Sequence, residues 1–514
     1  MNPTPLPPNI RDDFFGLPSP WSQSLNPMES GVPGRFEGEA ADLAVFGVIP
    51  KEINGTFYRM MVDPFFPLLP GNPAIEGDGN ICAFRIHEGS VDMKIKYVET
   101  ERLQLERKAN KRLFGLYRNP FSHHPCVRAA VASTANTSLV FWAGKLLALK
   151  EVAQPYSVHP DTLDTIEYDP FGSPGETFSA HPKIDPFTDE LVCFGYEAKG
   201  LATDDIVIYA LDKDGKKHDE QWIKAPWCGF IHDCAITKNF IILVLWPFEA
   251  DLERIKAGGQ HWQYDYDRPA TYVVVPRRPG DLPSGWKRGE SRVYHWQNAV
   301  VMHTASAWEE DNGKLYFDSS RVCYNILPVF EPSNSQQQDM SNLKADYVRW
   351  EIDLNQPSGT QVTEPVVLLD LPSELARVDE RFLTRPYDRI FSPVLLPDRP
   401  NALPPVVPLC LNGYVMIEKK SGRNTFFDPG HHSTTEEPIF IPRSKDAPEG
   451  DGWILGMVQR LDVNRSDLVV IDTRDFTKPV AVIQLPFRTK NQIHGNWVEA
   501  ETQLKGYRSL VKTY

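Results

Sequence analysis

Apolar residues along this chain fall in short runs broken by turn formers, and rarely at the three-to-four spacing of an amphipathic helix. Leu139-Val140-Phe141-Trp142 is followed by Ala143-Gly144 and then by Lys145-Leu146-Leu147-Ala148-Leu149. Leu191-Val192-Cys193-Phe194, Ile206-Val207-Ile208-Tyr209, Thr271-Tyr272-Val273-Val274-Val275, Leu468-Val469-Val470-Ile471 and Val480-Ala481-Val482-Ile483 repeat the pattern. Runs rich in β-branched and aromatic residues and bounded by Gly, Asp, Asn or Pro read as strands. Asp214-Gly215 and Asn312-Gly313 are hairpin signals. The 45 prolines oppose a helical protein, and short helices are expected only over 251–257 and 371–381. The strongest apolar run, Phe240-Ile241-Ile242-Leu243-Val244-Leu245-Trp246, has the length of a strand rather than of a membrane span.

Many short strands in succession suggest an all-β sandwich, barrel or propeller, and at 514 residues a propeller closes its edges without stacking several domains. Residues 1–35, rich in Pro, Asn and Ser at their start, are expected to form an irregular arm, and 36–514 a single domain. Segments 331–345 and 395–412 are expected to be long surface connections. A formal charge of −14 argues against a nucleic-acid partner, which would need a basic face. The seven cysteines (82, 126, 193, 228, 234, 323 and 410) form no CxxC pair; they read as reduced thiols of a cytoplasmic protein, and no transmembrane or secretory segment is expected.

Four histidines in separate local motifs carry the chemistry: His181 in Ser179-Ala180-His181-Pro182, His232 in Phe230-Ile231-His232-Asp233, His303 in Val301-Met302-His303-Thr304, and His494 in Ile493-His494-Gly495-Asn496-Trp497. Imidazole suits iron, zinc, copper or nickel. The intervals of 51, 71 and 191 residues are compatible with ligands on different blades of a propeller, at roughly 40–50 residues per blade. A lone histidine is more often structural than a ligand, and nine further histidines, including the pairs His123-His124 and His431-His432, are not excluded by spacing.

The histidine motifs, together with Asn54-Gly55-Thr56-Phe57-Tyr58-Arg59, Glu76-Gly77-Asp78-Gly79-Asn80 and Glu437-Pro438-Ile439-Phe440-Ile441-Pro442-Arg443, resemble the carotenoid cleavage oxygenases, from about residue 36 to 500. The resemblance implies a seven-bladed β-propeller with a cap of helices and loops over an axial metal site. It implies Fe(II) as cofactor and oxidative splitting of an alkene by O2 into two carbonyl products. Carried over residue by residue, it makes His181, His232, His303 and His494 the metal ligands. Glu151, Glu374 and Glu437 become the carboxylates that orient them, since a ligating imidazole needs its other nitrogen held by a hydrogen bond. Thr137, in Ala135-Asn136-Thr137, matches a threonine close to the metal.

Lys150 narrows the substrate. Carotenoid-cleaving relatives usually carry Trp there; Lys resembles the stilbene-cleaving, fungal or bacterial branch, which acts on lignostilbenes and resveratrol-like phenols. Tyr117 lies at the spacing expected of that branch's second phenol-binding residue. A lysine and a tyrosine stabilising a 4-phenolate would push electron density into the double bond attached to the ring. The implied partners are a phenolic alkene and O2. Ile75 replaces the aromatic residue that such relatives place before Gly77-Asp78-Gly79, which brings isoeugenol, coniferyl alcohol and 4-vinylguaiacol, precursors of vanillin, in beside stilbenes. The alternatives are an apocarotenoid-cleaving dioxygenase, a non-catalytic propeller scaffold and a zinc hydrolase. Lys150 opposes the first, the complete His and Glu sets the second, and four protein ligands without an open zinc position the third.

Overall fold

The computed structural model describes residues 33–332, 344–397, 411–500 and 509–511; most of the expected arm and of the connections near 331–345 and 395–412 lies outside the described residues. Among the described residues the strands form seven separate antiparallel sheets, the blades of a propeller. The first blade is built from Ser138–Trp142, Lys145–Leu149, Tyr156–Val158 and Thr165–Tyr168, and the second from Lys183–Asp185, Glu190–Tyr196, Asp205–Leu211 and Lys217–Lys224. Inner strands of different blades touch: Gln492–Glu499 packs on Ser138–Trp142, and Cys234–Ile236 on both Lys183–Asp185 and Thr304–Glu309. These strands surround the axis. The apolar cores lie between blades; the alternating residues of Lys145–Leu149 show why, with Leu146 and Ala148 in one cluster and Leu147 and Leu149 in another.

The ring is closed twice by the first strands. Ala44–Gly47 pairs with Pro479–Gln484 as the edge of the sixth blade, and Gly55–Val62 pairs with Gln492–Glu499 inside the seventh. Arg59, fully buried, ties this closure down through hydrogen bonds to the carbonyls of Glu437 and Gln492. Gly55 permits it, because a Cβ there would stand 2.4 Å from the Val498 carbonyl oxygen.

Each turn signal lies between paired antiparallel strands, though only Ala143-Gly144 makes a two-residue turn. Ala143 and Gly144 both have positive φ (47° and 74°) and make the two-residue hairpin turn that matches strand twist. Asp214-Gly215 sits in a longer connection, residues 212–216, where only Gly215 is left-handed. The apolar run at 240 becomes the strand Phe240–Ala250, and no helix among the described residues is long and apolar enough to cross a membrane.

The expectation for helices is corrected in part. Leu252–Lys256 is helical, as 251–257 suggested. Residues 371–381 are not: Ser373 and Arg377 bridge to Val394 and Phe391, and only a single turn, Glu380–Phe382, follows. The longer helix, Glu101–Ala109, has no clear apolar period because it is polar on most of its surface. Its signals are the Thr100 N-cap, whose hydroxyl oxygen accepts from the Leu103 amide, and the left-handed Asn110 C-cap.

Candidate metal centre and substrate cavity

Each of the four motif histidines stands at or near the start of an inner strand. His181 precedes Lys183–Asp185, His232 precedes Cys234–Ile236, His303 precedes Thr304–Glu309, and His494 lies in Gln492–Glu499. The four imidazoles converge, each offering one nitrogen, with all four nitrogens within 4.8 Å of one another. His232 Nε2 lies 3.2 Å from His181 Nε2 and 2.9 Å from His303 Nε2. His494 Nε2 is buried and has no hydrogen-bond partner.

The opposite nitrogens of three rings are held by carboxylates. His232 Nδ1 bonds Glu151 Oε1, His303 Nδ1 bonds Glu374 Oε2 at 2.5 Å, and His494 Nδ1 bonds Glu437 Oε1 at 3.0 Å. Each carboxylate is itself fixed. Glu374 accepts from the His303 and Leu375 amides and the Ser320 hydroxyl; Glu437 accepts from the Gly495 amide and stands 3.5 Å from Arg377. Glu151 accepts from Thr137 Oγ1 at 3.5 Å. These bonds leave Nε2 as the free face of each ring and set its direction. His181 is positioned through its backbone instead: its amide donates to Ser179 Oγ at 2.8 Å.

Burial, and then the three neighbouring imidazoles, hold His181 well below the usual histidine range; burial holds His494 at about 4. Both favour the neutral form that a metal ligand requires. His303 differs: burial pushes it down, but the Glu374 carboxylate outweighs that and raises it. Glu151 and Glu437 sit at about 2: burial pushes each carboxyl up, but His232 and Lys150 beside Glu151, and Arg377 and His494 beside Glu437, outweigh it. Four convergent donors, a buried orphan nitrogen and three oriented rings are a metal-binding arrangement.

A cavity of about 370 Å³ opens over this cluster, within the size range of small-molecule sites. Its walls include His232, His303, His494, Thr137, Ile75, Lys150 and Glu151, so these predicted residues come together. Lys150, which leaves the strand Lys145–Leu149, is 5% exposed; its Nζ donates to Asn136 Oδ1 at 3.1 Å and stands 3.8 Å from Glu76 Oε2. Burial lowers its pKa, against the opposing pull of Glu76 and Glu151. The Tyr117 ring lies 5.4 Å from Lys150 Nζ, and its buried hydroxyl has no hydrogen-bond partner. Tyr117 borders a second cavity rather than the one over the histidines.

Several residues in or behind the wall were missed from the sequence. Asn136 bonds Lys150 and, through Nδ2, the carbonyls of Ile75 and Gly77, and so joins the loop at 72–79 to the lysine. Glu76 anchors Lys150 and pairs with Arg102. Phe230 and Trp246 stack with their rings 4.8 Å apart and 10° from parallel, giving the cavity an aromatic wall that Ile75 does not supply. Adjacency was the available signal: Asn136 neighbours Thr137, Glu76 opens the Glu76-Gly77-Asp78-Gly79-Asn80 motif, and Phe230 lies two residues before His232.

An all-β propeller with four histidines on its axis, three of them oriented by carboxylates, defines the class. The family described as retinal pigment epithelial membrane protein matches residues 31–499, and the chain belongs to this family of carotenoid oxygenases. It is 58% identical over 500 residues to resveratrol cleavage oxygenase 1 of Botryotinia fuckeliana, covering 96% of this chain and 89% of that one. It is 38% identical over 473 residues to isoeugenol monooxygenase of Pseudomonas putida, covering 90% and 96%. The crystal structure of Pseudomonas brassicacearum lignostilbene dioxygenase superposes with a TM-score of 0.85 at 36% identity, covering 93% of this chain and 99% of that one. The protein is thus an oxygenase by family, with the propeller fold the sequence implied.

Proposed function

We propose that this protein is a non-haem Fe(II) oxygenase that cleaves the alkene double bond of 4-hydroxyphenyl alkenes, stilbenoids such as resveratrol foremost, into an aromatic aldehyde and a second carbonyl compound. The observation that carries this reading is the buried amino group of Lys150 in the wall of an otherwise largely apolar cavity, beside the ring of Tyr117, whose hydroxyl is unpartnered. An ammonium in such a place suits an anionic oxygen.

His181, His232, His303 and His494 would hold the metal, and Glu151, Glu374 and Glu437 would keep three of their rings aligned. When bound, Fe(II) would supply the activation of O2. The protein's part is substrate preparation. Lys150 receives the 4-hydroxyl and stabilises the phenolate, with the Tyr117 ring 5.4 Å from its amino group, and electron density moves through the substrate ring to the alkene. Phe230, Trp246, Met302 and Ile75 enclose the rings and keep bulk water from the double bond. The stacked Phe230–Trp246 pair favours a substrate with two aryl groups, in keeping with the similarity to a resveratrol cleavage oxygenase. Thr137, hydrogen-bonded to Asn136 and Glu151, would narrow the space beside the metal.

The test is product analysis with Fe(II)-loaded protein in air on resveratrol, isoeugenol, a 4-methoxy stilbene and an apocarotenal. Aldehydes from the 4-hydroxy compounds alone are expected. Cleavage of the apocarotenal, with the phenols untouched, would overturn the reading.

A further inference from the structure

A second cavity, of about 280 Å³, lies against Lys150. Its lining and that of the cavity over the histidines have just two residues in common, Lys150 and Glu151. The two spaces differ in chemistry. The first is walled mostly by apolar groups. The second is bordered by Tyr117, Arg102, Arg118, Glu76, Glu197 and His123. Arg102 is buried, and its Nε and Nη2 make no hydrogen bond; neither does the Tyr117 hydroxyl. Unpaired donors of this kind, beside a space of this size with several charged groups in its wall, call for ordered water. The space also reaches the surface: Ala132 and Glu176 on its rim are exposed, and Gly200 and Leu201 are partly so.

We propose that this second cavity is the proton exit of the site, a hydrated compartment through which the proton of a bound 4-hydroxyphenyl substrate leaves by way of Lys150. The inference rests on the phenolate reading above. A substrate filling the first cavity blocks that route to solvent, so the proton needs another. The Lys150 ammonium first passes one proton to water in the second cavity and on to solvent. The phenolic O–H bond then breaks, its proton is taken by the amine lone pair so freed, and a phenolate remains facing a restored ammonium; the proton returns by the same path when the product phenol is released. The charged and titratable groups that face Lys150 are Glu76, Glu151, Arg102, Arg118 and Tyr117. Glu76 is pinned by Arg102 and keeps the ammonium form accessible.

The experiment uses Fe(II)-loaded full-length protein under strict exclusion of O2, so that no turnover occurs, and resveratrol in stopped flow, with a pH indicator and the phenolate absorbance as readouts. Two variants obstruct the rim without touching the first cavity: Ala132→Phe, at an exposed loop position, and Leu201→Trp, in a partly exposed turn. In the unaltered protein, phenolate absorbance and proton release should rise together. In either variant that binds a 4-methoxy stilbene with unchanged affinity, which certifies the fold, both signals should slow at least tenfold while reaching the same amplitude. Phenolate formation at the unaltered rate in both certified variants would overturn the proton exit and leave the phenolate reading intact. No phenolate in the unaltered protein would overturn both.

Discussion

Replacement of Lys150 by Met tests the proposed chemistry most directly. Met keeps most of the length and apolar contact of Lys, and removes the amino group. The folded protein then loses one hydrogen bond, to Asn136 Oδ1 at 3.1 Å, and one ion pair, to Glu76 at 3.8 Å. Glu76 keeps its contact with Arg102, so no carboxylate is stranded and the propeller should stay folded. The effect is therefore expected in catalysis. A hydrogen bond to a charged partner contributes about 1.5–3 kcal/mol, and each 1.36 kcal/mol is about tenfold in rate. Loss of the bond to a developing phenolate should lower kcat/KM on resveratrol by roughly 10- to 150-fold. A 4-methoxy stilbene, which cannot ionise, should be a poor substrate for both proteins and should change less than about threefold between them, well under one such bond. The assay is quantification of aldehyde from both substrates, at equal iron content, with circular dichroism as a control for folding. Equal losses on the two substrates would refute the reasoning, because they would show that Lys150 acts on cavity shape rather than on the phenolic oxygen.

Glu437→Gln keeps a group able to bond His494 Nδ1 but removes the charge that makes the imidazole a stronger donor; iron affinity measured by anaerobic titration should fall about 10- to 100-fold, and unaltered affinity would argue that Glu437 serves only the fold. Gly79→Ala should abolish soluble expression or cost more than about 4 kcal/mol in chemical denaturation, since its Cβ would meet the Ala135 carbonyl oxygen at 2.1 Å; a cost near 1 kcal/mol would show that the loop can give way. His123 is held at about 4, chiefly by burial and then by Arg102, and its Nδ1 accepts from the Gly115 amide, which needs the neutral ring. Its folded pKa lies below the unfolded 6.5, so the stability it contributes is full above pH 6.5 and lost as pH falls toward 4, about 3 kcal/mol in all. His123→Gln should flatten the fall in stability between pH 6.5 and 4, and an unchanged slope in urea unfolding would show that other groups carry it.

Much of this protein was written locally in its sequence. Strands follow from neighbouring residues, because alternation across a pleated ribbon has a period of two and Gly or Asn marks its ends; hence the hairpin at Ala143-Gly144 and the strand beginning at Phe240 were legible. The histidine and glutamate motifs were legible for the same reason: each is a few consecutive residues with a fixed chemistry. The helix Glu101–Ala109 was not, since its burial is set by contacts of single residues such as Leu103 and Glu106 rather than by an apolar stripe. Tertiary structure alone decided which atoms meet. Glu151 reaches His232, 81 residues on, because different blades bring their inner ends to one axis, and Arg59 reaches Glu437, 378 residues on, because the first strands close the ring against the last blade. Pairing within the third blade sets Phe230 and Trp246 beside His232, and Lys150 and Glu151 stand between two cavities of different lining. Such meetings depend on how seven blades share one axis, a geometry fixed by packing between distant segments, and no window of sequence contains it.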